Sequence, residues 1–196
     1  MKIVLAAALL MLSTAASAAV PATLVTPAAP AYVLDNTEVR DIRASELKRD
    51  YQVYVALPDS YGDGKRSYPV VFVSDASYAF PVVRNIAQRL HRHAGMEEAI
   101  VVGLSYAKGD TGVYSRRRDY TPTMPRKHDY RSDMPGRPLA FGEAAGYGRF
   151  VSNEVFPLIA KHYRADMRRK IFVGHSYGSL LGLQMMLDAP RSFEHY

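Results

Sequence analysis

The sequence contains no cysteine. Disulfides and thiolate-ligated metals are thereby excluded, and stability has to come from packing. It also lacks any apolar run long enough to cross a bilayer, which takes about 20 residues. The best candidate, Ile3 to Leu12, is too short. With Lys2 before it and Ala16-Ser17-Ala18 after it, that run has the layout of a secretory signal peptide cut after Ala18. Export without cysteine points to a periplasmic or secreted protein with no membrane partner. Residues 19–31 are rich in Ala and Pro and almost uncharged, the composition of a loose linker. One folded domain is expected over residues 32–196.

A concentrated charge of one sign is missing as well. The net charge is +6, and the basic residues are scattered apart from Arg116-Arg117-Arg118 and Arg168-Arg169-Lys170. A nucleic-acid surface needs a basic face interleaved with exposed aromatics, so no nucleic-acid partner is expected. Metal-ligand spacing is absent too. His91 and His93 are two apart on an expected helix and face different ways. No carboxylate stands at ligand spacing from them, and His128 and His162 are isolated. Neither a metal nor a cofactor is expected, no internal repeat is visible, and no oligomeric state follows.

What the sequence does have is alternation of strand and helix. Glu38 to Ile42 and Tyr51 to Val55 alternate polar and apolar residues, as an opening antiparallel pair does. Tyr68 to Val73, Ala99 to Leu104 and Lys170 to Gly174 are apolar runs suited to parallel strands covered on both faces. Helices are expected over about Phe80 to His93, with Pro81 in the first turn, over about Glu143 to Tyr163, kinked at Pro157, and over Ser179 to Leu187. Ser105 to Gly142, dense in Pro, Arg, Asp and Tyr, reads as a long functional loop. Strand, helix, strand, helix is the order of an α/β fold, a mostly parallel sheet with helices on both faces.

Gly174-His175-Ser176-Tyr177-Gly178 fits G-x-S-x-G, with Ile171-Phe172-Val173 before it and an apolar helix after it. In that setting the serine sits on a sharp strand-to-helix turn with its hydroxyl exposed above the sheet, and the glycines allow close backbone approach. Ser176 is therefore the candidate nucleophile. Tyr177 N–H, at the helix start, is a candidate donor to a developing oxyanion. The second donor is expected from Ser74-Asp75-Ala76-Ser77, with Ala76 N–H preferred and Ser77 the alternative. His175 reads as a packing residue, the motif leaving its position variable.

Four segments in this order carry a family resemblance: Tyr68 to Asp75, Arg118-Asp119-Tyr120-Thr121-Pro122, Phe150 to Pro157, and Gly174 to Gly178. Over Thr37 to Tyr196 the chain resembles the esterase family of α/β hydrolases that holds siderophore esterases, feruloyl esterases and esterase D. The resemblance implies an α/β-hydrolase fold and hydrolysis of a small-molecule ester, siderophore-like or other, through an acyl-enzyme at Ser176. It implies substrate contacts from Asp119, Tyr120 and Arg118. Ala76 stands where the family usually has glycine, and Ser179 where many members have a second glycine.

In such hydrolases the acid and histidine follow the serine in sequence, and here only twenty residues do (176 to 196). Glu194 and His195 lie beyond a helix of about 12 residues, which spans about 18 Å, too far for a hydrogen bond to the serine. They read as surface residues, and the chain as the N-terminal portion of the fold, its C-terminal part absent. A catalytically impaired remnant and an acyltransferase of the same fold are the alternative readings.

Overall fold

The computed structural model describes residues 31–196, so the expected signal peptide and all but Ala31 of the linker lie outside the described residues. The alternating segments pair antiparallel, as expected, forming β1 (Thr37–Ala44) and β2 (Arg49–Ala56). The apolar runs become β3 (Tyr68–Val73), β4 (Ile100–Leu104) and β5 (Ala165–Val173). All five strands share one sheet in the order β1-β2-β4-β3-β5. β3 runs parallel to both β4 and β5, whereas β2 meets β4 antiparallel. The parallel part of this mixed sheet is thus the half that carries the strand-to-helix turns.

Every residue of β3 and β4 is buried, as a continuous apolar run covered on both faces requires. On one face Val71, Val73 and Val101 pack with Ala76 and Phe80 of α1 (Ala76–Ala94). On the other, Val70, Phe72, Val102 and Leu104 join the larger core with Tyr147, Val151, Leu181 and Met185.

Three expectations are corrected in detail. Helix α1 begins at Ala76 and encloses Pro81, because Asp75 in a left-handed conformation (φ 56°) turns the chain out of β3 at once. The segment 105–142 is not all loop. It contains α2 (Gly112–Tyr120), capped by Thr111, whose hydroxyl accepts from Tyr114 N at 3.1 Å. The buried face of α2 includes Ser115, Arg118 and Asp119 beside Tyr114 and Tyr120, so no apolar periodicity marks it. The third helix is divided into α3 (Ala144–Phe150), a wide π turn (Val151–Val155) and α4 (Phe156–His162). Pro157 has no N–H and its ring crowds the preceding turn; the widened turn just before it absorbs both.

The motif helix, α5, spans Tyr177–Asp188. After it the chain returns to β5, where Glu194 N–H donates to Lys170 O and Phe172 N–H to His195 O, a parallel bridge. Among the described residues no helix is long and apolar enough to cross a membrane.

Candidate active site

Val73 pairs with Val173, and Ser74 N–H donates to Val173 O at 3.1 Å. β3 and β5 therefore end side by side, and the turns into α1 and α5 open on the same edge of the sheet. Ser176 sits on the second of these turns with φ 57° and ψ −118°, a backbone conformation that side chains rarely adopt. It is solvent-exposed.

The glycines around it are demanded by contact. A Cβ on Gly174 would lie 2.5 Å from Gly178 O, and one on Gly178 would lie 2.1 Å from Ser74 Oγ. The contact at Gly174 is with backbone, which cannot move aside, so the turn needs glycine there. At Gly178 the Ser74 hydroxyl would have to turn away, which would still leave Ser74 Cβ at 3.1 Å and Asp75 Oδ2 at 3.3 Å. Ser179 fastens it from the helix side, its hydroxyl donating to Gly174 O at 3.0 Å. Gly178 N–H and Ser179 N–H donate to the carbonyls of His175 and Ser176. Tyr177 is the first residue of α5, and first-turn N–H groups have no partner within their own helix. His175 is exposed rather than packed, because the turn carries it outward beside the serine.

The neighbouring turn is built on Asp75, which is 1% exposed. Its Oδ1 accepts from Tyr106 OH at 2.8 Å and faces Arg116 Nε at 3.0 Å. Its Oδ2 accepts from Arg116 Nη2 at 3.2 Å and Tyr78 OH at 3.3 Å. Asp75 N–H donates to Tyr120 OH at 3.2 Å. A Cβ on Gly178 would stand 3.3 Å from Asp75 Oδ2, so this carboxylate lies against the first turn of α5. Ala76 opens α1 and is fully buried, whereas Ser77 is exposed. Burial, then the Asp75 hydrogen bond, pushes the Tyr106 hydroxyl well above the ordinary phenol value.

Arg118, Asp119 and Tyr120, expected to touch substrate, lie in the interior at 3%, 1% and 1% exposure. Asp119 accepts from Tyr51 OH at 2.9 Å, Ser115 Oγ at 2.9 Å and Arg118 Nε at 2.7 Å. Arg118 also meets Asp110 at 2.7 Å. The polar atoms of this pair are engaged within the protein. Tyr120 is packed edge-on against Tyr147, with its hydroxyl on Asp75 N–H. The reason is that α2 turns this face to the core.

Arg116, marked in the sequence only as part of the basic run 116–118 and not among the expected site residues, is the arginine that reaches the two turns. Besides Asp75 it covers the Tyr177 ring, 5.3 Å from its centroid. A signal exists in the spacing: Arg116 and Tyr120 are four apart on α2, so one helix face presents both to Asp75. Beyond Arg116, Arg117 lies over the rings of Tyr130 and Phe141 at 5.4 and 5.8 Å. His128 stacks on Tyr130. Of the other histidines, His91 faces the Met96 carbonyl and His195 adjoins β5. No histidine hydrogen-bonds Ser176 among the described residues. No group of three or more His, Asp or Glu that could hold a metal occurs among them either.

Comparison with known proteins agrees with this fold. The family model described as Esterase: Putative esterase matches residues 44–196. Ferri-bacillibactin esterase BesA of Bacillus subtilis is 31% identical over 170 residues, 85% of this chain and 58% of that protein. The siderophore triacetylfusarinine C esterase of Aspergillus fumigatus is 28% identical over 153 residues, 74% of this chain and 49% of that protein. The chain thus spans only 58% and 49% of the length of these relatives. Among solved structures, the BES protein from Bacillus cereus superposes with a TM-score of 0.70 at 24% identity, covering 86% of this chain and 64% of that one. An α/β-hydrolase sheet ending in a strained, exposed serine, together with a family match over most of the chain, has one conclusion: this protein belongs to the Putative esterase family of α/β hydrolases.

Proposed function

We propose that the protein acts as a serine esterase on small esters of the siderophore type, with Ser176 as its nucleophile. The observation that carries this reading is the backbone of Ser176. A non-glycine residue held at φ 57° and ψ −118° between two glycines at which a Cβ would be crowded stores strain at one exposed hydroxyl. Strain of that kind amounts to about 1–3 kcal/mol and persists where surrounding structure enforces it.

In this reaction Ser176 Oγ attacks the ester carbonyl carbon while its proton passes to a general base. The carbonyl pair moves onto oxygen, where Tyr177 N–H and Ala76 N–H are the donors we assign. Collapse expels the alcohol, which takes up the proton, and leaves an acyl group on Oγ. Water then attacks the same carbon with help from the base, releasing the acid and restoring the hydroxyl. The base is not among the described residues near Ser176. The substrate class follows the relatives, named as esterases of ferri-bacillibactin and triacetylfusarinine C. Export to the periplasm or beyond, with the signal peptide cut after Ala18, belongs to the same reading.

The test is labelling of the protein from its native host with a fluorophosphonate, followed by hydrolysis assays on siderophore lactones and simple aryl esters. A single adduct on Ser176, absent from Ser176→Ala, together with lactone cleavage is the expected result. An adduct elsewhere, or none, overturns the nucleophile assignment.

A further inference from the structure

The serine turn has a buried negative charge for a neighbour. Asp75 directly precedes Ala76, our second oxyanion donor, and its Oδ2 lies against the first turn of α5, which begins with Tyr177, the first donor. A carboxylate there sits within a few ångströms of the place where an esterase develops negative charge. Left unbalanced, it would oppose the oxyanion, since like charges repel strongly where water is excluded.

The balancing charge comes from α2. Arg116 donates from Nη2 to Asp75 Oδ2 at 3.2 Å and holds its Nε 3.0 Å from Oδ1 in ion-pair contact, so the guanidinium charge sits against the carboxylate. Tyr106 and Tyr78 add hydroxyl donors at 2.8 and 3.3 Å but no charge. No other cation meets Asp75 in an ion pair among the described residues. The guanidinium also lies over the Tyr177 ring, so the same side chain spans both turns.

We infer that Arg116 is a positioning and charge-balancing residue for ester hydrolysis: it neutralises Asp75 so that the two donor turns can receive an oxyanion. The inference rests on the serine-esterase reading. It makes a prediction that packing alone does not. Removing Arg116 should be worse than removing Arg116 and the Asp75 charge together.

The experiment compares four full-length proteins from the native host: unsubstituted, Arg116→Met, Asp75→Asn, and the double substitution, with Arg116→Lys as the charge-conserving control. The readouts are the rate of fluorophosphonate labelling at Ser176 and kcat and KM for an aryl acetate. Thermal unfolding is measured on each to identify variants that have lost the fold. The expected result is a loss of about a hundredfold in kcat and labelling rate for Arg116→Met, with KM little changed. Asp75→Asn and Arg116→Lys should each lose about tenfold or less, and the double substitution should label at least tenfold faster than Arg116→Met. Should the unsubstituted protein fail to label at Ser176, the esterase reading falls and this inference with it. Should it label while the double substitution is no faster than Arg116→Met, the charge-balancing role alone is overturned. A folded Arg116→Met that labels at the unsubstituted rate overturns that role as well.

Discussion

A Cβ on Gly178 would stand 2.1 Å from Ser74 Oγ, 3.1 Å from Ser74 Cβ and 3.3 Å from Asp75 Oδ2, so a methyl group between the end of β3 and the start of α5 needs the Ser74 hydroxyl to turn away and is crowded even then. Gly178→Ala should therefore force the two turns apart. Overpacking of this kind costs about 1–3 kcal/mol, and we expect that loss in urea unfolding together with a drop of at least tenfold in labelling at Ser176. Wild-type labelling in Gly178→Ala would show that the two turns move independently.

The left-handed backbone of Ser176 makes a second prediction. Ser176→Gly and Ser176→Ala both remove the nucleophile, but only glycine relaxes the strain. The glycine variant should be the more stable of the two by about 1 kcal/mol. Equal unfolding midpoints would mean that the turn is not strained.

Asp119 separates an interior role from a substrate-binding one. It accepts from Arg118 and Tyr51 inside the core, so Asp119→Ala leaves the Arg118 guanidinium buried and short of its partner. Breaking a buried pair in this way costs about 3–5 kcal/mol. The expected outcome is a large fall in melting temperature for the folded chain. A stable variant with only KM raised would instead return Asp119 to the substrate.

Acid stability should depend on Asp166. Hydrogen bonds from the Arg168 side chain and backbone N–H, then from Arg169, hold its carboxyl below the ordinary 3.8, at about 2. A carboxyl whose folded value is depressed contributes stability that is fully present above its unfolded value and is lost as pH falls through the folded one. The window is thus between about pH 4 and pH 2. Asp166→Asn should be less stable than the unsubstituted protein at pH 6, and the difference should shrink on titration towards pH 2. A difference that stays constant across that window would exclude the linkage.

By itself the sequence determined the parts of this protein whose cause is local. Tyr68 to Val73 and Ile100 to Leu104 carry enough β-branched, apolar surface to demand a strand covered on both faces, and both are buried throughout. The serine turn was legible because one of its glycines is required by a contact within a few residues, Gly174 against Gly178, while Gly178 itself answers to Ser74 on the neighbouring strand end. Only the tertiary structure decided what surrounds that turn. Helix α2 carries Ser115, Arg118 and Asp119 towards the core, a polar face that hydrophobic periodicity reads as loop. Arg118, Asp119 and Tyr120 consequently went to the interior, and Arg116 to Asp75, 41 residues away in the chain. The partner of a charge depends on which elements the sheet order brings together, and β4 lying between β2 and β3 is a property of the whole sheet that no local segment specifies.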